Sequence, residues 1–205
     1  GQALLDESKK IAEISEKLQL KHIVITSVTR DDLPDGGAEM FARAITEVKG
    51  VNSDATVEVL TPDFNGDRHS LDIVFKAYPD VFNHNVETIE RLYPEVRPQA
   101  DFQQSLGVLK YAKEHSFAKV KSGFMLGLGE TEDEVKELLH LLKEAGVDIV
   151  TIGQYIAPSK EHYPVKEFVH PDKFEEYKKY GEQELGIKYV FSGPFVRSSY
   201  MAGDV

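Results

Sequence analysis

The 205-residue sequence contains no cysteine and no tryptophan. Without cysteine there is no disulfide scaffold, no thiolate zinc site, no cysteine nucleophile and no thiolate-held iron–sulfur cluster within these residues. Positive charge is scarce as well: 24 Lys and Arg stand against 35 Asp and Glu, a formal net charge of −11. A nucleic-acid binder needs a basic face to meet phosphates, so this balance argues against one. No stretch approaches the roughly 20 apolar residues that cross a bilayer. The opening segment, GQALLDESKKIAEISEKL, carries both signs of charge on an amphipathic pattern, unlike a signal or transit peptide. The expectation is a cytoplasmic chain with no nucleic-acid and no membrane partner. Residue 1 is Gly rather than Met, so the native start is expected to lie upstream.

The rest of the chain alternates between two hydrophobic rhythms. Ile11, Ile14 and Leu18 recur at helical spacing, and His22 to Val28 (HIVITSV) reads as a short buried strand. Phe41, Ala44, Ile45 and Val48 form the next helical stripe. Val57 to Phe64 is a second strand, a helix follows from about His69 to Tyr78, and Asp80 to Thr88 reads as a third strand. Leu106, Leu109 and Ala112 mark another helix, and Lys119 to Gly129 is a strand running into a Gly-rich turn. Thr131 and Glu134 form a T-x-x-E capping box before a helix carrying Val135, Leu138, Leu139 and Leu142. Gly146 stands where a C-terminal cap belongs. Val147 to Tyr155 is a fifth strand, and a helix near Pro171 to Leu185 precedes a last strand in KYVFSGPFV.

Strand–helix alternation implies a parallel α/β fold. The strands are apolar early and polar at their carboxyl ends, where ligand sites of parallel α/β folds gather. The expected class is a partial (β/α)6-type parallel barrel that lacks its first strand, because the chain opens on a helix and is short for a full barrel. The barrel is assigned to residues 1–157, and residues 158–205 are read as a C-terminal extension packing on it.

Several stretches carry chemistry. A period of two places Asn83, Asn85 and Glu87 on one face of the third strand and Phe82, His84 and Val86 on the other. Such a polar row reads either as a ligand-contacting face or as a satisfied internal network. In Thr29 to Phe41, Asp31, Asp32 and Asp35 surround a turn ending in Gly36-Gly37, which suits close backbone approach or an ordinary helix entry. Gly123, Gly127 and Gly129 straddle a strand end, where bare backbone suits a flat ring. The absence of GK[ST] excludes a Walker A loop. Asp63, Glu87 and Glu130 with His84 leave open a divalent-metal site, and with it a metal-dependent lyase or hydrolase. In VRSSY, Arg197 beside two hydroxyls suits an anion or a capped turn.

Seven runs taken together, ITSVTRDDLPDGGA, EVLTPDF, DVFNHNVET, VRPQADFQQSL, KSGFMLGLGET, VDIVTIGQY and SGPFVRSSY, extend from about residue 20 to residue 203. In this order they resemble the lipoyl synthases, of the radical S-adenosylmethionine superfamily. The resemblance implies sulfur insertion at carbons 6 and 8 of an octanoyl group on a carrier protein, by radicals derived from S-adenosylmethionine. It implies two 4Fe-4S clusters, one cleaving the cosubstrate and one consumed as sulfur donor. By resemblance, Gly36 and Gly37 meet the methionine amino group, Asn85 and Glu87 the ribose and amino group, and Arg97 the carboxylate. Gly127, Leu128 and Gly129 face the adenine, with Gln154 and Tyr155 nearby, and Ser199 is an oxygen ligand of the auxiliary cluster. The cysteine motifs of the family are absent. The expectation is therefore the carboxyl-terminal two-thirds of such an enzyme, inactive by itself. A non-catalytic module binding an octanoylated carrier or S-adenosylmethionine is the remaining alternative.

Overall fold

The computed structural model describes residues 2–27, 30 and 32–199, with side chains from residue 7 onward. Val28, Thr29, Asp31 and Tyr200, which the sequence reading placed at a strand end, in the Asp-rich turn and in the VRSSY run, lie outside the described residues. Six strands form one sheet in the order β1-β2-β3-β4-β5-β6. The described residues divide into two compact units, those up to 83 with 111–119, and 84–110 with 120–199.

In the first unit, α1 (Gln2–Lys17) leads into β1 (His22–Thr26), α2 (Ala38–Val51), β2 (Thr56–Leu60), α3 (Arg68–Lys76) and β3 (Val81–Asn83). β1 pairs in parallel with β2, and β2 with β3. Phe41, Ala44, Ile45 and Val48 of α2 are all buried, as their spacing predicts. α1 differs from its prediction. Ile14 is 54% exposed and Leu18 is 62% exposed, whereas Ser8, Ala12 and Ser15 are buried. These three small residues form the packed stripe, and α1 lies against α2. The Asn52 side chain ties this helix end down, donating to Ser15 Oγ and Leu20 O at 2.9 Å each.

In the second unit, α4 (Tyr93–Val96) precedes α5 (Phe102–His115), whose last turn falls in the first unit. β4 (Lys119–Leu126), α6 (Glu132–Glu144), β5 (Ile149–Gln154), α7 (Pro171–Lys179) and β6 (Tyr189–Ser192) follow. β4 pairs in parallel with β5, and β5 with β6. Every residue of β5 is buried, so both its faces are covered, as in a parallel sheet flanked by helices. The Thr131–Glu134 capping box forms, and Val135, Leu138, Leu139 and Leu142 are buried behind it. Gly146 adopts φ 81°, the left-handed conformation a helix stop demands. The helix predicted to Leu185 stops at Lys179 and continues as one π turn over Tyr180–Glu184. A Cβ at Gly181 would come within 2.9 Å of Val190 Cγ2, so this turn packs close against β6.

The largest departure from expectation is the third strand. The continuous strand ends at Asn83 rather than Thr88, and Glu87 takes φ 66°. The alternation of faces therefore fails beyond Asn83, because a residue with positive φ turns the chain out of the pleat. Among the described residues no helix is long and apolar enough to cross a membrane.

Candidate functional site

The chain after β3 builds the most polar cluster of the second unit. Thr88 N donates to Val86 O at 2.8 Å, closing a three-residue turn about Glu87. A γ-turn with positive φ is the rare and strained form, so its surroundings must hold it. They do so by backbone: Glu87 N donates to Gly123 O and Met125 N to Glu87 O, an isolated parallel bridge to β4. Glu87 keeps intermediate exposure as a residue. Its carboxyl is nevertheless so closely surrounded that burial pushes its pKa up, against the opposing pull of Arg97 and a hydrogen bond with Asn85.

Asn85 Oδ1 is buried and has no hydrogen-bond partner among the described residues. It stands beside Gly123, where a Cβ would come within 3.0 Å of it and would collide with Thr151 Oγ1. The bare glycine thus keeps space open around an unsatisfied acceptor. Arg97 donates through Nη1 to Tyr93 Oη at 3.0 Å, Val86 O at 3.4 Å and Asn85 O at 3.5 Å. A guanidinium has five N–H donors, so the rest of the fork retains capacity for an anion. Carboxylate, amide and guanidinium together suit a ligand carrying an ammonium, hydroxyls and a carboxylate. An orphaned buried acceptor and a side-chain-free cradle fit an amino-acid-bearing nucleoside such as S-adenosylmethionine.

A second group gathers at the ends of β4 and β5. Gly127 and Gly129 adopt φ 94° and 103°. Glu130 clasps the turn, accepting from Gly127 N at 2.7 Å and Leu128 N at 2.9 Å. The Leu128 side chain is fully buried, so it offers the site backbone only. Gln154 Nε2 donates to Tyr155 O and Glu167 O, and its Oε1 accepts from Val169 N, each at 3.0 Å. Lys166 N reaches Gly127 O at 2.8 Å. Tyr155 Oη donates to Tyr163 O at 2.8 Å. Gln154 and Tyr155 therefore hold the 163–169 segment over these strand ends with the polar atoms expected to meet a ligand.

Gly36 and Gly37 lie in the first unit, at the entry to α2, with φ 60° and 90°. Asp35 shapes that turn, accepting from Gly37 N at 3.0 Å and Glu39 N at 2.7 Å. Ser199 is exposed in a turn of the second unit. Three of the four groups of the divalent-metal alternative are engaged locally instead. Asp63 caps a 3-10 turn through Asn65 N, Glu130 clasps its own turn, and His84 Nε2 meets Ser105 Oγ at 3.0 Å. No three His, Asp or Glu gather as metal ligands among the described residues. Glu130 was expected from sequence only as a candidate metal ligand, not as the clasp of its own turn, and Tyr93 carried no signal beyond the rule that a buried phenol needs a partner.

Residues 3–142 match the Radical SAM superfamily. The chain is 57% identical over 200 residues to a lipoyl synthase of Caldicellulosiruptor saccharolyticus, covering 97% of this chain and 70% of that one. It is 52% identical to the lipoyl synthase of Rubrobacter xylanophilus, over 98% of this chain and 62% of the other. The chain thus spans about two thirds of the length of these curated relatives. Among solved structures, Streptococcus suis SuiB bound to S-adenosylmethionine gives a TM-score of 0.67 at 13% identity, over 90% of this chain and 42% of SuiB. Methylornithine synthase (PylB) gives 0.66 at 13% identity, over 96% and 66%. At such low identity these two speak for the fold.

Proposed function

The chain belongs to the lipoyl synthase family of the radical S-adenosylmethionine superfamily, and on that premise we propose that its Asn85–Glu87–Arg97 cluster binds S-adenosylmethionine. The family reaction is sulfur insertion into a protein-bound octanoyl group, and the proposed partner is an octanoylated carrier domain. S-adenosylmethionine would supply the hydrogen-abstracting radical for that reaction only after one-electron reductive cleavage, for which these residues hold no reductant. The residues of this chain bind and orient it. Glu87 accepts from the ammonium or ribose hydroxyls, Asn85 offers its unused Oδ1, and Arg97 faces the carboxylate. Gly127 to Gly129, with Gln154 and Tyr155 behind them, are proposed to approach the adenine; for Gly36-Gly37 the family resemblance alone suggests a part in cosubstrate binding.

The 4Fe-4S clusters of the family do not fit the residues of this chain, which has no cysteine to bind them. By the family resemblance alone, Ser199 is proposed as an oxygen donor to an auxiliary cluster whose thiolate ligands these residues do not supply. The division into a barrel over 1–157 and an extension over 158–205, and a cytoplasmic location, complete the reading.

The observation that carries it is the buried, unpartnered Asn85 Oδ1 beside a desolvated Glu87 carboxyl. Titrating S-adenosylmethionine into the chain, followed by ligand-observed NMR, tests it. Saturable binding that falls about tenfold or more in Glu87→Gln is expected, since a buried charge-assisted bond carries roughly 1.5–3 kcal/mol. Equal binding by both proteins refutes the assignment.

A further inference from the structure

We infer that Tyr93 is a positioning residue of the cosubstrate site, its hydroxyl holding the turn that presents Glu87 and the guanidinium of Arg97 in one fixed arrangement. The inference rests on the reading of that cluster as an S-adenosylmethionine site. Tyr93 is the first residue of α4 and only 4% exposed. Its Oη donates to Val86 O at 2.7 Å and accepts from Arg97 Nη1 at 3.0 Å.

Val86 O is the acceptor that closes the strained turn about Glu87, through Thr88 N at 2.8 Å. The phenol therefore bonds the very carbonyl on which the Glu87 backbone conformation depends. A residue at φ 66° persists only where its neighbours over-determine it. Two bonds to β4 and the phenol on Val86 O provide that. The same oxygen anchors Arg97, whose guanidinium carbon also sits 5.2 Å from the centre of the Tyr93 ring.

Proton accounting closes around the hydroxyl. Tyr93 gives its one proton to Val86 O and receives from Arg97, and its remaining lone pair hydrogen-bonds Ser105. Ser105 Oγ in turn lies 3.0 Å from His84 Nε2. The string runs from α5 through the phenol to the ligand-facing pair. A phenol serving packing alone would need one of these bonds. Ring packing is already supplied by Phe102, edge-on at 5.2 Å.

The test is S-adenosylmethionine titration by ligand-observed NMR on wild type, Tyr93→Phe, Arg97→Ala, the double variant and Glu87→Gln, with circular dichroism melts of each. Tyr93→Phe keeps the ring and is expected to weaken binding about tenfold. The double variant is expected to lose less than the sum of the two single losses in free energy, because part of the hydroxyl's effect runs through that guanidinium and part through the Glu87 turn. Ser105→Ala, which loosens the phenol from its far side, is expected to lose two- to threefold; it serves as the reporter if Tyr93→Phe does not fold. Should Glu87→Gln and Arg97→Ala weaken binding while Tyr93→Phe or, in its place, Ser105→Ala does not, the inference fails and the site stands. Additive losses in Tyr93→Phe and Arg97→Ala likewise overturn it. Should all variants bind as wild type does, the site reading fails and the inference falls with it.

Discussion

Replacing glycine by alanine should have opposite effects at two positions of this chain, for reasons that can be separated. At Gly127 the backbone stands at φ 94°, which an alanine tolerates poorly, at a cost of roughly 1–2 kcal/mol. The added Cβ would also collide with Gln154 Nε2 and Glu167 O. Neither can retreat cheaply, since Gln154 Nε2 is itself bonded to Glu167 O and its Oε1 to Val169 N. Overpacking of this kind costs about 1–3 kcal/mol, and each bond lost adds about 1 kcal/mol. The total for Gly127→Ala is roughly 3–6 kcal/mol, a large share of the ~5–15 kcal/mol that holds an ordinary domain.

At Gly107, by contrast, a Cβ meets nothing within 4 Å on the exposed side of α5. Alanine there should stabilise by about 0.5–1 kcal/mol by restricting the unfolded chain. Urea unfolding of both variants measures the difference directly. Amide exchange at Lys166 and Val169 shows whether the Gly127→Ala loss is confined to the strap over the strand ends. If Gly127→Ala matches wild type within 0.5 kcal/mol, the close approach described for Gly127 and Gln154 is wrong. A destabilised Gly107→Ala would refute the open-space reading of α5.

Two further outcomes depend on pH. Burial raises the Glu87 carboxyl above its ordinary pKa, so the stability tied to this group is complete below the unfolded value and is lost as pH rises through the folded one. Glu87→Gln should accordingly melt higher than wild type at pH 7, with the gap closing near pH 4; a gap independent of pH would contradict this. Glu134 behaves in the opposite sense. Its bidentate bond with Arg91, at 2.6 and 3.0 Å, holds its carboxyl down at about 2. The stability it contributes is present above the ordinary carboxylate pKa and is lost as pH falls toward about 2, so Glu134→Gln should flatten the acid limb of the wild-type melting curve.

Much of the site was legible as residue types and little of it as geometry. Asn85 and Glu87 stood out because polar residues alternate in an otherwise apolar stretch. The alternation nevertheless misplaced them on one face of a continuous strand. The regular strand stops at Asn83, and a positive-φ turn, which no periodicity reports, re-aims Glu87. Gln154 and Tyr155 were expected by resemblance near the adenine, and their polar atoms are spent on the 163–169 segment. The bonded partners in that segment stand 8 to 15 residues away in sequence, and it has no pattern of its own. The misassigned face of α1 has the same origin. Ile14 and Leu18 have helical spacing, but close packing against α2 favours Ser8, Ala12 and Ser15.

By itself the sequence determined the order of strands and helices, the parallel α/β class, the capping box at Thr131 and the family of the chain. The first three follow from burial repeating with the period of each element and from local cap chemistry, both written along the chain, and the family follows from the resemblance of the seven runs. Only the tertiary structure decided that Tyr93 meets Val86 and Arg97, that Asn85 keeps an unsatisfied acceptor, and that Glu130 clasps the glycine turn. Hydrogen-bond partners of buried groups are set by which elements are brought together, and that depends on packing across the fold rather than on spacing within any one stretch.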